Sequence, residues 1–356
     1  MNRVAQSKKR QTNSKLLIGL TIPILLIVIF FVWYKIHMSY ENDSYMSFNI
    51  DDMNREGQNV NAHSTVYMIN DINSDNMIKI YEALGVKVAG NVAIKLSTGE
   101  AGNPNYLDPN LIKDLVQSVD GTIVECNTAY SGSKRAETAM HRQVAKEHGF
   151  TEIADVDIMD EDGYMIIPVD GGTHLKENWV GKNLANYDFV MVLSHFKGHP
   201  MGGFGGALKN ISIGIGSREG KARIHSAGLN SHAALFNPIS LITNQNDFLE
   251  SMAEAAKSVS DYEDHGKKMI YISVMNKMSV DCDCVSEPEA VDMNDIGILA
   301  STDPVALDQA CVDLVYKAPD GTSLQHRIEE KNGIHILKHA EEIGLGNRAY
   351  ELIELE

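Results

Sequence analysis

His195-Phe-Lys-Gly-His-Pro-Met-Gly-Gly-Phe-Gly-Gly-Ala-Leu-Lys-Asn210 follows directly on the apolar run Tyr187-Asp-Phe-Val-Met-Val-Leu-Ser194. The run is short and continuously apolar at its centre, the pattern of a strand buried in a sheet. The glycines after it (Gly202, Gly203, Gly205 and Gly206) let the backbone approach a neighbour closely or take positive φ. In open α/β sheets, ligands bind just beyond the carboxyl ends of strands. A strand that empties into a loop bearing His195, Lys197, His199 and Lys209 is therefore where chemistry is expected.

Upstream of this stretch, strand and helix patterns alternate. Strands are expected at Thr65–Ile69, Asn91–Leu96 and Thr122–Cys126, and helices at Ser74–Leu84, Asp108–Val119 and Ser133–His148. This is the spacing of βα units, which predicts an α/β fold with a mostly parallel open sheet and flanking helices. Val156–Met159 and Met165–Val169 read as a hairpin-like excursion. Downstream come a helix over Asp247–Val259, strands at Met269–Met275 and Ile296–Ala300, and a helix over Pro304–Lys317. Asp303 caps that helix, with Pro at its first position. A last helix is expected over Asn332–Ile343 and a short strand over Tyr350–Leu355.

The N-terminal part differs in composition. Leu16 to Tyr34 is an uncharged, apolar run of 19 residues, long enough to span a bilayer as a helix. It is longer than the apolar region of a secretory signal and lacks a small-residue cleavage site after it. The expected organisation is a basic arm at 1–15, a transmembrane anchor at 16–36, a linker at 37–63 and an α/β domain over 64–356. Six of the chain's 31 Lys/Arg lie in residues 1–36, with no acid among them. The positive-inside rule then predicts a single-pass membrane protein with a cytoplasmic N-terminus and an extracytoplasmic domain. The remaining 25 basic residues face 48 acidic ones. A surface so acidic repels phosphate backbones, which excludes nucleic acid as a partner and leaves a small-molecule ligand and the membrane.

Several strand-end residues suit a site. His195, His199 and His225 offer imidazole ligands for a divalent metal. Lys209 and Lys95 suit an anion or cofactor, with Gly203, Gly205, Gly206 and Asn210 supplying close backbone approach and polar contact. The spacing is not that of a Walker A loop. His199, Lys209 and Glu100 are the candidate catalytic groups, for proton or hydride transfer. The plainer alternatives are loop histidines that cap backbone groups, a surface ion pair at Lys95 and Glu100, and a protein that binds a ligand or cofactor without turning it over. Of the four cysteines, Cys126, Cys282, Cys284 and Cys311, the Cys282-Asp-Cys284 pair reads as half a metal site or a redox pair. No ferredoxin-type spacing exists, so an iron–sulfur cluster is not expected.

Lys95-x-Ser-Thr-Gly-Glu100, Asn127-Thr-x-Tyr-x-Gly132, His148-Gly-Phe150, His195-Phe-Lys-Gly-His199, Gly203-Phe-Gly-Gly-Ala-Leu-Lys-Asn210, Gly220-Lys221, His225 and Asp295-Ile-Gly-Ile-Leu-Ala-Ser-Thr-Asp-Pro-Val-Ala-Leu-Asp308 recur in order along the chain. Together they resemble the family called domain of unknown function 362, over roughly residues 64–355. Some members of that family are labelled iron–sulfur proteins and carry ferredoxin-type cysteines between the His225 region and the Asp247–Val259 helix. This chain carries none there. The spacing of His199, Lys209 and His225 around the Gly-rich loop is also similar to the lactate racemase family. That resemblance implies a nickel-type cofactor, a nickel-pincer nucleotide, with Lys209 as its tether, His225 as the nickel ligand and His199 as an acid/base.

Overall fold

The computed structural model describes residues 63–356. In chain order the regular elements run β1 (Ser64–Ile69), α1 (Ser74–Ala83), β2 (Val92–Lys95), α2 (Pro109–Ser118), β3 (Thr122–Glu125) and α3 (Thr138–Glu147). They continue with β4 (Val156–Ile158), β5 (Tyr164–Pro168), β6 (Glu177–Gly181), β7 (Phe189–His195), β8 (Lys197–His199) and β9 (Gly203–Gly205). Then follow α4 (Ala207–Ser212), α5 (Arg218–His225), α6 (Phe236–Ser240), α7 (Gln245–Tyr262), β10 (Met269–Met275) and β11 (Gly297–Ser301). The chain closes with α8 (Pro304–Lys317), α9 (Thr322–Glu330), α10 (Ile334–Glu342) and β12 (Tyr350–Glu354).

Eight strands form the central sheet in the order β12-β1-β11-β10-β7-β2-β3-β4. Alternate residues of the strands feed opposite cores. Val190, Val192, Met269 and Tyr271 pack with α4, α7 and α8 on one face. Met191, Leu193, Ile270 and Ile272 pack with α1 and α2 on the other. Every residue of β10 is buried, as a strand covered on both faces must be.

The sheet is mixed, which corrects the expectation of a mostly parallel one. The block from β10 through β4 pairs in parallel, but β11 runs antiparallel to both β10 and β1. The reason is the connection at 276–296. It leaves the carboxyl end of β10 and returns at that same edge instead of crossing the sheet over a helix, so the next strand must run backwards. Periodicity within a strand carries no sign of direction, and the sequence could not show this. The expected excursion also differs. Val156–Ile158 joins the main sheet beside β3, whereas Tyr164–Pro168 pairs with Glu177–Gly181 in a separate two-stranded sheet.

A second correction concerns the membrane. Among the described residues, no helix is long and apolar enough to cross a bilayer. The anchor expected at 16–36, with its basic arm and nearly all of the linker, lies outside the described residues. The single-pass topology, the extracytoplasmic localisation, the membrane as partner and the membrane-anchored enzyme built on them are therefore unsupported and are not carried forward.

Candidate metal and ligand site

Within the parallel block, β2, β3 and β4 succeed one another outwards on one side, while β7 and β10 lie on the other. The carboxyl ends of β2 and β7 thus flank the point where the strand order reverses, the place where open α/β sheets hold ligands. A cavity of about 470 Å³ opens there, lined by Lys95 and Ser97 at and just beyond the end of β2, Glu125, Cys126 and Thr128 to Tyr130 at and beyond the end of β3, and Leu193 to His195 at the end of β7. Asn210, in the second turn of α4, stitches the crevice. Its Nδ2 donates to Lys95 O, Leu193 O and Ser194 Oγ, each at 3.1 Å, and its Oδ1 accepts from Lys95 Nζ at 2.9 Å.

The Gly-rich loop is held from the far side of the fold. Asp308, buried in α8, accepts from Ala207 N at 2.7 Å and Leu208 N at 2.9 Å, supplying the cap that α4 lacks locally. A Cβ on Gly206 would lie 2.2 Å from Asp308 Oδ1, so only glycine lets the carboxylate reach those amides. Burial pushes the Asp308 carboxyl up to about 7.

His195, His199, Lys209, His225, Lys95, Asn210, Gly205 and Gly206 all line the cavity. Gly203, in β9, and Glu100 lie outside its wall. Glu100 is occupied elsewhere, accepting from Tyr130 Oη, Ser133 Oγ and Lys134 N, with Arg135 Nε at 3.6 Å. Burial opposes its charge, but Ser133 and Arg135 hold its carboxyl below the usual range.

The three histidines do different things. His195 Nδ1 meets Asp283 Oδ2 at 3.0 Å and its Nε2 meets Asn276 O at 2.8 Å, so both ring nitrogens face acceptors and neither is left for a metal. His225 Nδ1 lies 2.8 Å from Lys221 O. A carbonyl only accepts, so Nδ1 carries the proton and Nε2 keeps its lone pair, the arrangement that metal-ligating histidines use. Its ring packs between Phe236 and Phe248, and burial lowers its pKa to about 4. His199 has the opposite tautomer. Its Nδ1 accepts from Gly202 N at 2.8 Å and Met201 N at 3.3 Å, which places the proton on Nε2. Burial, with the nearby charges of Lys209 and His225, holds its pKa well below the usual histidine value.

The Lys209 amine makes no hydrogen bond or ion pair among the described residues, and burial brings its pKa down to about 8. Lys95 and Lys221 point their amines at backbone carbonyls as well as at the cavity. With Arg135, the wall carries four basic side chains against Glu125 and Asp283. The excess stands out in a chain of formal charge −17. Thr128 Oγ1 is buried in the same wall with no partner among the described residues.

Across the cavity from the Gly-rich loop stands the 276–296 connection. Cys282 and Cys284 sit there in a turn, not on the strand face that their spacing suggests, and they are joined as a disulfide. His199, Cys282 and Cys284 form a candidate metal cluster, with one ligand atom from each lying within 4.8 Å of the others. Asp283 between the cysteines is buried and accepts from Lys197 Nζ at 2.8 Å as well as facing His195. Burial opposes its charge, but His195 and Lys197 hold the carboxyl far below its usual range. The Cys-x-Cys spacing was visible in the sequence, but its meeting with His199 was not. Arg135 carries no local signal that would have placed it here, and Lys221 and Thr128 stand out only as parts of the family motifs.

No curated protein matches the chain. Among solved structures, the lactate racemase apoprotein from Thermoanaerobacterium thermosaccharolyticum is similar at 13% identity and a TM-score of 0.39, over 71% of this chain and 57% of the racemase. A protein from Thermotoga maritima is similar at 14% identity and a TM-score of 0.41, over 69% and 58% of the two chains. This chain thus spans less than two thirds of the length of either, and the likeness is distant. A family model described as domain of unknown function (DUF362) matches residues 92–313, most of the described fold and the whole of the cavity wall. The chain belongs to that family.

Proposed function

We propose that this protein binds a small anionic molecule beside a metal centre in the cavity at the carboxyl ends of β2, β3 and β7. The observation that carries the proposal is the convergence of His199, Cys282 and Cys284 on the cavity that also holds Lys209. Soft thiolates with an imidazole suit zinc or nickel, and a hard oxygen-seeking cation would not choose them. The excess of cations in the wall supports an anion, because a cleft of one sign concentrates the opposite one. Thr128 Oγ1, buried without a partner among the described residues, is a hydrogen-bonding group such a ligand would satisfy.

A nickel-type cofactor held covalently by Lys209 is the finer form of this proposal. Three features of the chain support it. The Lys209 amine is free of partners among the described residues, burial raises its neutral fraction, and the lone pair of His225 Nε2 is available in the same wall. When bound, such a group would supply a redox-capable metal. His225 would hold it, Lys209 would tether it, and Asn210 would fix the strand ends around it. His195, with both nitrogens engaged, would orient Asp283 instead of ligating.

Metal content and intact mass of the full chain purified from its native host test both levels. The expected result is a stoichiometric metal, with added mass that disappears in Lys209→Ala if the cofactor is tethered. Metal at sequence mass would remove the tether and keep the metal centre. A chain of sequence mass that takes up neither zinc nor nickel after reduction would overturn the proposal.

A further inference from the structure

The disulfide and the metal centre cannot exist together. A thiolate is the metal ligand, and a sulfur bonded to another sulfur has no charge to give. The third donor is closed in this state as well, because the His199 Nδ1 lone pair accepts from Gly202 N and Met201 N while Nε2 carries the proton. All three members of the cluster are therefore close together and none is ready to ligate.

The surroundings keep the pair in place whichever bond it makes. Asp283 is anchored by Lys197 and His195, Glu100 N donates to Asp283 O at 2.7 Å, and Asn103 Nδ2 donates to Val285 O at 2.7 Å. Opening the sulfur–sulfur bond would leave both thiols beside His199. Cys282 is 7% exposed and Cys284 is half-buried, and both face the cavity. A reductant must therefore be small enough to enter it. Cys126, in the same wall, differs: its thiol is bonded to Ile215 O and pushed up by burial, which makes it a poor nucleophile.

We propose that Cys282 and Cys284 are a redox switch for the metal centre, closed as the disulfide and opened by a small thiol that enters through the cavity. The proposal rests on the metal-centre reading above. In the opening direction, a thiolate of the small molecule attacks one sulfur of the pair and the other leaves as a thiolate. A second small thiol then displaces the first cysteine. The pair gains two electrons and two protons, and the small molecule leaves as its own disulfide. A divalent cation next displaces the two thiol protons to solvent, and the His199 ring turns from Gly202 to complete the set. Closing reverses these steps, with a small disulfide as the electron acceptor.

The test uses the full chain and zinc as the probe. The protein is oxidised with a small-molecule disulfide, or reduced with a phosphine. Free thiols and bound zinc are then counted in each state for wild type, Cys282→Ser/Cys284→Ser and His199→Ala. The expected result is no zinc on the oxidised chain, about one equivalent on the reduced chain, and its release on re-oxidation as the two thiols disappear. The double serine variant should bind none in either state with an unchanged circular dichroism spectrum, and His199→Ala should bind at least about tenfold more weakly. Equal zinc in both states would overturn the switch and leave the metal centre standing. Thiols that survive excess oxidant would do the same. A reduced chain with both thiols free and no zinc would overturn the metal centre itself.

Discussion

Two loops face each other across the cavity, and they are held in opposite ways. The 195–210 loop follows its strand without a break, and its end is tied down by Asn210 and, from α8, by Asp308. The 276–296 loop carries no long regular element, and at its middle an ion pair of buried Asp283 with Lys197 and His195 adds to hydrogen bonds from Glu100 N and Asn103 Nδ2. The loops touch where Gly198 N donates to Ser279 O at 2.9 Å, and a Cβ on Gly198 would lie 2.3 Å from Val280 O. The glycine loop is braced by side chains that bond its amides and the strand ends, with no ion pair in the brace. A cysteine turn braced by an ion pair is fixed by charge, and it will respond to whatever changes that charge.

The largest expected effect comes from breaking the charge brace. Lys197→Ala leaves buried Asp283 with one partner and should cost about 3–5 kcal/mol in denaturant unfolding. Hydrogen exchange should speed up at residues 279–285 while the amides of Ala207 and Leu208 keep the protection of the global fold. Equal loosening of both loops would erase the contrast between them. Next in size is Gly206→Ala, which drives a methyl into the Asp308 carboxylate. It should cost about 2–3 kcal/mol and uncover the Ala207 and Leu208 amides first. A stability change within about 0.5 kcal/mol would show that the brace from α8 can yield.

The third effect is a slope with pH, not a fixed cost. The folded-state pKa of Asp308 is raised to about 7, above its unfolded value, so the folded chain holds this proton more tightly than the unfolded one. Its contribution to stability is therefore favourable below about pH 4 and is lost as pH rises towards 7. Asp308→Asn, which keeps an acceptor oxygen, should flatten the wild-type fall in stability between pH 4 and 7. An unchanged slope in urea titrations at several pH values would assign the dependence to another group.

How far the sequence could be read follows the same division. The apolar run over β7, the glycines after it, and the His, Lys and Asn residues at fixed offsets are local signals, and they pointed to the cavity directly. Asp303 before Pro304 likewise announced α8, and its side chain does accept from Val305 N and Ala306 N. Glu100 was drawn in by its position after β2, but strand-end location does not say which way a side chain turns. It turns to Tyr130 and Ser133 instead. Imidazole chemistry makes His195 a candidate ligand in the sequence, and only its two partners in the fold reveal that both nitrogens are occupied. The membrane reading concerned residues outside the described fold and finds no support within it.

The sequence by itself determined the alternating elements, the strand that ends in the glycine loop, the family, and the set of side chains at that loop, because each is encoded within a few residues. The tertiary structure alone decided that β11 runs backwards, and with it that the 276–296 loop returns to the edge where β7 ends. It also decided that the Cys282–Cys284 turn meets His199. These depend on contacts between residues far apart in the chain, whose partners are chosen by the folded sheet and not by neighbouring sequence.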